Sequence, residues 1–165
     1  MDAALSHISP AMRSAVGGEV TRRVSYPISV SDIRRWALAV YYPDLPPWSV
    51  ADGDVEFAPE EFNPFAWAVA DKTGRTDVDI LDPAYNEKML GIDGPALTFQ
   101  LNGGLEVTYY ARMKPGDVIT SVERLADYNE RPGRLGLMLF TIKEDTWTSH
   151  AGELIKIERS TLIRY

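Results

Sequence analysis

The chain contains no cysteine. Disulfides, thiolate zinc sites and a cysteine nucleophile are therefore excluded. Histidine is almost as scarce, with His7 and His150 the only two, and such scattered imidazoles point away from a transition-metal site. Long apolar runs are missing, so no segment has the length of a membrane span. Met1 to Gly17 lacks the basic-then-apolar order of a signal peptide, which makes the cytoplasm the expected compartment. Positive charge is in deficit: 17 Lys and Arg face 24 Asp and Glu, a formal net charge of -7. No basic stripe is present to neutralise phosphates, which argues against a nucleic-acid partner and against an anionic membrane surface. Three motifs are also absent. Gly91-Ile92-Asp93-Gly94 does not fit a dinucleotide fingerprint, and there is neither a P-loop nor a Gly-x-Ser-x-Gly elbow.

What remains is a chain of 165 residues with four Trp, eight Tyr and five Phe. That is enough apolar material for one core, and a single domain over residues 1–165 is expected. Val20 to Ile28 alternates as a strand would, although Arg22 interrupts the pattern. Ser29 can cap a helix, with Asp32 three residues on, and Ile33, Trp36, Ala37, Val40 and Tyr41 recur at helical spacing until Pro43 stops it. A loop from Asp44 to Pro59 follows. Asn63-Pro64 then marks a second helix start, capped by Asn63 and apolar nearly all round through Val69, which means burial. A short third helix is expected from Pro83 to Leu90, capped by Asp82 and closed by Gly91.

From Ala96 the signal becomes β-rich. Leu97–Leu101, Leu105–Arg112, Val118–Tyr128, Leu135–Lys143 and Glu153–Tyr165 carry β-branched and aromatic residues. Turn chemistry separates them, at Asn102-Gly103-Gly104, Lys114 to Asp117, Glu130 to Gly133 and His150 to Gly152. Helices followed by an antiparallel meander indicate an α+β domain.

Four stretches, read in order, resemble the N-terminal domain of MaoC-like dehydratases, the FAS1-like or hydroxyacyl-thioester dehydratase subunit type. They are Val30 to Val40, Phe57 to Phe62, Leu101-Asn102-Gly103-Gly104-Leu105-Glu106-Val107, and Met113 to Val118; the closing Gly152-Glu153-Leu154 strand fits as well. The resemblance implies a hotdog fold, an antiparallel sheet wrapped around a buried helix that would begin near Pro64. It also implies an acyl thioester of coenzyme A or acyl carrier protein as substrate, with no other cofactor and no metal.

Active relatives carry Asp-x-Asn-Pro-x-His in a loop. Its imidazole moves a proton while hydrogen-bond donors hold the charge developing on the thioester oxygen. The corresponding loop here is Asp44-Leu45-Pro46-Pro47-Trp48-Ser49. Asp44 aligns with the acid, but Ser49 stands where the histidine belongs, and a serine needs another base to activate it. Asp44 and Ser49 are thus relic candidates, although Asp44 reads first as a turn former. The resemblance places Asn102 and Gly103 along the substrate side; Trp48 and Phe62 are candidate pocket-wall aromatics, and Asn63 heads a buried helix whose free N–H groups can polarise a thioester carbonyl. Asn63 reads first as a plain helix cap, and Asn102-Gly103 equally as a bend between strands.

Three functions stay open. The leading one is a non-catalytic subunit that shapes an acyl tunnel beside a histidine-bearing hotdog partner. The others are an active homodimeric hydratase or thioesterase using groups such as Asp44 or Asp71, and a non-enzymatic acyl-thioester binder. A homodimer or heterodimer is expected in each case, because a lone sheet leaves its edges unpaired.

Overall fold

A computed structural model describes residues 6–44, 46, 55–66 and 77–165. In chain order the elements are α1 (Pro10–Ser14), β1 (Glu19–Val24), α2 (Val30–Tyr41), α3 (Tyr85–Met89), β2 (Gln100–Tyr109), β3 (Ile119–Gly133), β4 (Gly136–Ser149) and β5 (Leu154–Arg164). The strands form one antiparallel sheet in the order β1-β3-β4-β5-β2. The class is α+β, as expected, but the sheet is not a simple meander. Only β3, β4 and β5 follow one another, while β1 flanks β3 and β2 crosses over to flank β5.

Local chemistry explains most boundaries. Ser29 Oγ accepts from Asp32 N at 3.0 Å and donates to the Asp32 carboxylate at 2.7 Å, a cap worth about 1 kcal/mol. α3 begins two residues later than the sequence suggests. Asp82 instead accepts from Ala84 N at 2.7 Å and so shapes the turn that precedes the helix. The two strands expected at Leu97–Leu101 and Leu105–Arg112 are one continuous β2. Asn102-Gly103-Gly104 forms a bulge against Leu162 and Thr161 rather than a turn, with Gly104 at φ 148°. α1 was not anticipated, although Ser9 caps it and Pro10 occupies its first turn. At five residues it is too short to persist alone, and it is held by Met12, only 1% exposed, whose burial contributes about 2 kcal/mol. Asn63 Oδ1 accepts from Phe65 N at 2.9 Å and residues 64–66 form a turn. The remainder of the helix expected there lies outside the described residues.

All three helices pack on one face of the sheet. One core cluster joins Ile33 and Ala37 of α2 to Phe62, Phe65, Ile119, Trp147 and Ile155. A second joins Met12 of α1 to Val20, Leu125, Tyr128 and Leu139, with Tyr85 and Met89 of α3 against it. Between them and α3 lies a buried ionic latch. Arg164 and Glu87 are each 0% exposed, with nitrogen–oxygen distances of 2.7 and 2.9 Å. Arg164 also donates to Thr141 Oγ1 and Pro83 O, both at 2.6 Å, and the Tyr128 hydroxyl donates to Glu87 at 2.6 Å. Burial pushes the Glu87 carboxyl up, but the Arg164 guanidinium and the Tyr128 hydroxyl outweigh it and hold the group below its ordinary value.

A depressed carboxyl contributes stability that is present above its unfolded-state value and lost as pH falls through the folded-state value. Chemical denaturation followed from neutral to acidic pH is expected to show this loss below the usual carboxylate range, and Glu87→Gln should flatten that limb. Glu87→Ala, which leaves Arg164 buried without its counter-charge, is expected to destabilise by about 3–5 kcal/mol.

Candidate functional site

The helix-facing side of a sheet is ordinarily apolar, yet here several inward positions carry charge. On β3 the inward series is Ile119, Ser121, Glu123 and Leu125; on β4 it is Leu139, Thr141, Lys143, Asp145 and Trp147. Each charge in these series has a partner. Lys143 reaches Glu123 at 3.0 Å. Asp145 accepts from Ser121 at 2.8 Å and from Arg23 at 3.0 Å. Lys156 of β5, 4% exposed, pairs with Glu158 at 2.6 Å and sits 3.8 Å from the centroid of the Trp147 ring. Phe65 closes this end, edge-on to Trp147 at 5.0 Å and beneath Arg23 at 4.6 Å.

The other end opens into a cleft of about 1040 Å³. Its floor is a row of residues crossing all five strands. Thr21 faces Glu123, Lys143 reaches Glu123 through its side chain and faces Ser160, and Ser160 faces Leu105. Tyr85, Asn86 and Met89 of α3 form one wall, and Gln100 and Asn102 of β2 line the opposite rim. Burial, and after it the Glu123 carboxylate, raises the Tyr85 phenol, so the hydroxyl stays protonated and available as a donor.

No imidazole lines this cleft. His7 is tied to the β3–β4 hairpin, its Nε2 3.0 Å from Leu137 O and its backbone N donating to Glu130 at 2.5 Å. His150 is exposed at the turn after β4, where its Nδ1 accepts from Val118 N at 3.3 Å. Among the described residues there is no cluster of His, Asp and Glu able to hold a metal ion, and no helix long and apolar enough to cross a membrane.

The residues singled out from the sequence are only partly brought together. Asn102 lines the cleft. Gly103, within the bulge, turns to the opposite face and lies against Ile163 and Thr161. Phe62 is fully buried in the core, edge-on to Trp36 at 6.0 Å, and Asn63 serves the turn described above. Asp44 is exposed just past α2. Trp48, Ser49 and Asp71 lie outside the described residues. Sequence reasoning overlooked Tyr85, Asn86, Glu123, Lys143 and Ser160. The signal for Glu123 and Lys143 was nevertheless present, since both stand in phase with apolar neighbours that face the core.

With this geometry in place, the comparison with known families is decisive. The family described as FAS1-like, dehydratase domain region, matches residues 14–158. The chain belongs to that family. Among solved structures, this FAS1-like dehydratase region is similar to the ChsH1-ChsH2 complex from Mycobacterium tuberculosis at 16% identity and a TM-score of 0.62, covering 94% of this chain and 88% of that one. It is also similar to the R-hydratase PhaJ1 from Pseudomonas aeruginosa in its unliganded form, at 12% identity and a TM-score of 0.52, with 90% and 81% covered. At these identities the likeness is one of fold, and that fold is the hotdog. No curated protein matches the sequence.

The bulge gives a test of how the two faces are separated. A Cβ on Gly103 would meet Ile163 Cγ1 at 2.8 Å and Thr161 Cγ2 at 3.0 Å. Gly103→Val is therefore expected to overpack the outer face and lower stability by about 1–3 kcal/mol in thermal unfolding. Because that face points away from the cleft, ligand affinity measured on the folded variant should be unchanged.

Proposed function

We propose that this chain is the non-catalytic half, with no histidine in the catalytic loop, of an enoyl-thioester hydratase or 3-hydroxyacyl-thioester dehydratase, and that it shapes the acyl-binding cleft beside a histidine-bearing hotdog subunit. The observation that carries this reading is the position of the two histidines. Hydration of a conjugated thioester needs a base near neutral pKa to take a proton from water, and dehydration needs the same group to take one from the α-carbon. Both imidazoles of this chain lie away from the cleft. The cleft's carboxylates, Glu19 and Glu123, are paired with Arg22 and Lys143.

Three further points support the proposal. The family is a dehydratase family, one neighbour is itself a complex of two named chains, and another is a hydratase. Among the described residues, β2 forms one edge of the sheet and pairs only with β5. Leu101 and Leu105 on this strand are 53% and 63% exposed. A second hotdog sheet pairing along β2 would satisfy the free backbone groups of this edge, cover both leucines, and bring a foreign imidazole toward the rim where Asn102 stands. The thioester is a substrate here, carried by coenzyme A or acyl carrier protein.

The purified chain is expected to give no loss of enoyl absorbance with crotonyl-CoA. Co-expressed with a histidine-bearing hotdog subunit, it should elute as a one-to-one complex by light scattering and hydrate the substrate. Turnover by the chain alone would overturn the reading and return the chemistry to groups such as Asp44 or Asp71.

A further inference from the structure

Three buried polar side-chain atoms have no hydrogen-bond partner among the described residues: Trp147 Nε1, Arg164 Nε and Asn86 Oδ1. Their surroundings differ. Trp147 is packed between Lys156 and Phe65. The terminal nitrogens of Arg164 are taken up by Glu87, Thr141 and Pro83. Neither of these residues lines the cleft, whereas Asn86 does.

Asn86 is 2% exposed and stands between Tyr85 and Glu87 on α3, so the ionic latch one residue along holds its backbone still. A buried carbonyl oxygen left unpaired incurs its whole desolvation penalty, and an apolar side chain of similar volume would avoid it. Folding alone therefore disfavours asparagine at this place. A residue kept against stability at the wall of a cleft is the pattern of a ligand contact.

The charges around the cleft narrow the ligand. Arg22 is paired with Glu19, Arg23 with Asp145 and Lys143 with Glu123. An anionic group entering beside them would have to displace a carboxylate. A neutral donor faces no such competition, and Met89, Leu162 and Leu105 offer apolar contact to the rest of the molecule.

We propose that Asn86 is a ligand-recognition residue of this cleft, its Oδ1 accepting a hydrogen bond from a hydroxyl or amide N–H on a largely apolar ligand. The identity of that ligand rests on the function proposed above. An acyl thioester offers two such donors, the hydroxyl of a 3-hydroxyacyl chain and the amide N–H groups of the pantetheine arm.

Calorimetric titration of the full chain separates these sources. The probes are 3-hydroxyoctanoyl-CoA, octanoyl-CoA and free 3-hydroxyoctanoate, each tested on the wild type and on Asn86→Leu. If the hydroxyl is the donor, the variant should bind 3-hydroxyoctanoyl-CoA about tenfold more weakly and octanoyl-CoA unchanged. If the pantetheine amide is the donor, both thioesters should weaken by that factor while 3-hydroxyoctanoate does not. In either case the melting temperature of the ligand-free variant should stay level or rise. Thioester affinities that ignore the substitution would overturn the role of Asn86, whatever the melting temperature, and leave the proposed function standing. Failure of the wild type to bind any of the three probes would overturn both.

Discussion

An arginine with no exposed surface is costly to bury, and its charge has to be met within the protein. Arg164 is the last residue of β5, and the group that meets it, Glu87, comes from a five-residue helix on the far side of a chain crossover. Tyr128 of β3 and Thr141 of β4 complete the shell. One ionic contact thus ties α3 to three adjacent strands. A helix of that length has almost no stability of its own. The wall that α3 presents to the cleft therefore exists because the latch holds it there. Replacing a buried pair by apolar residues is often neutral or favourable for stability, so the value of this one lies in geometry. It fixes which side chains of α3 look into the cleft.

The same reasoning extends along the inner face. Lys143–Glu123, Arg23–Asp145 and Lys156–Glu158 stand where a sheet packed by helices usually presents aliphatic side chains. Each pair balances itself, so the face carries polar atoms without a net field. The consequence for recognition is selective. Fixed dipoles and neutral donors and acceptors remain available to a ligand, whereas the cations that would attract a phosphate or carboxylate already have partners. The floor of this cleft is polar but carries no unmatched cation.

Much of this architecture was legible in the residues, and the limits have physical causes. Ser29 with Asp32 announces α2 because capping is a local interaction, complete within four residues. The strands announce themselves through alternation, but Glu130 to Gly133, expected as a turn, is the paired end of β3, and β4 runs on to Ser149 rather than Lys143. Asn102-Gly103-Gly104 misleads because glycine permits both a turn and a bulge, and only pairing with Thr161 and Leu162 decides between them. Strand order is a long-range property, so the positions of β1 and β2 at the two edges could not be read from spacing. The latch is the extreme case. Glu87 and Arg164 are 77 residues apart, and each looks like an ordinary surface charge until the sheet closes. Of the site, Asn102 was found because its glycine neighbours drew attention to it. Asn86 was missed because its importance lies in lacking a partner, which no sequence pattern records.

The two histidines illustrate how a fold can contain a reactive group and still withhold it from the site. His7 contacts Leu137, next to the start of β4, and His150 follows the strand's last residue. Lys143, on the cleft floor, lies near the strand's midpoint. At about 3.3 Å per residue, each end of β4 is roughly 20 Å from that point along the strand. No side-chain rotation covers such a distance, and His7 is held where it stands by Glu130 and Leu137. On the function proposed here, an imidazole acting at the cleft comes from a partner subunit. β1 and β2 are the two outer strands among the described residues, and the proposed pairing takes the β2 edge, where the exposed Leu101 and Leu105 would be covered.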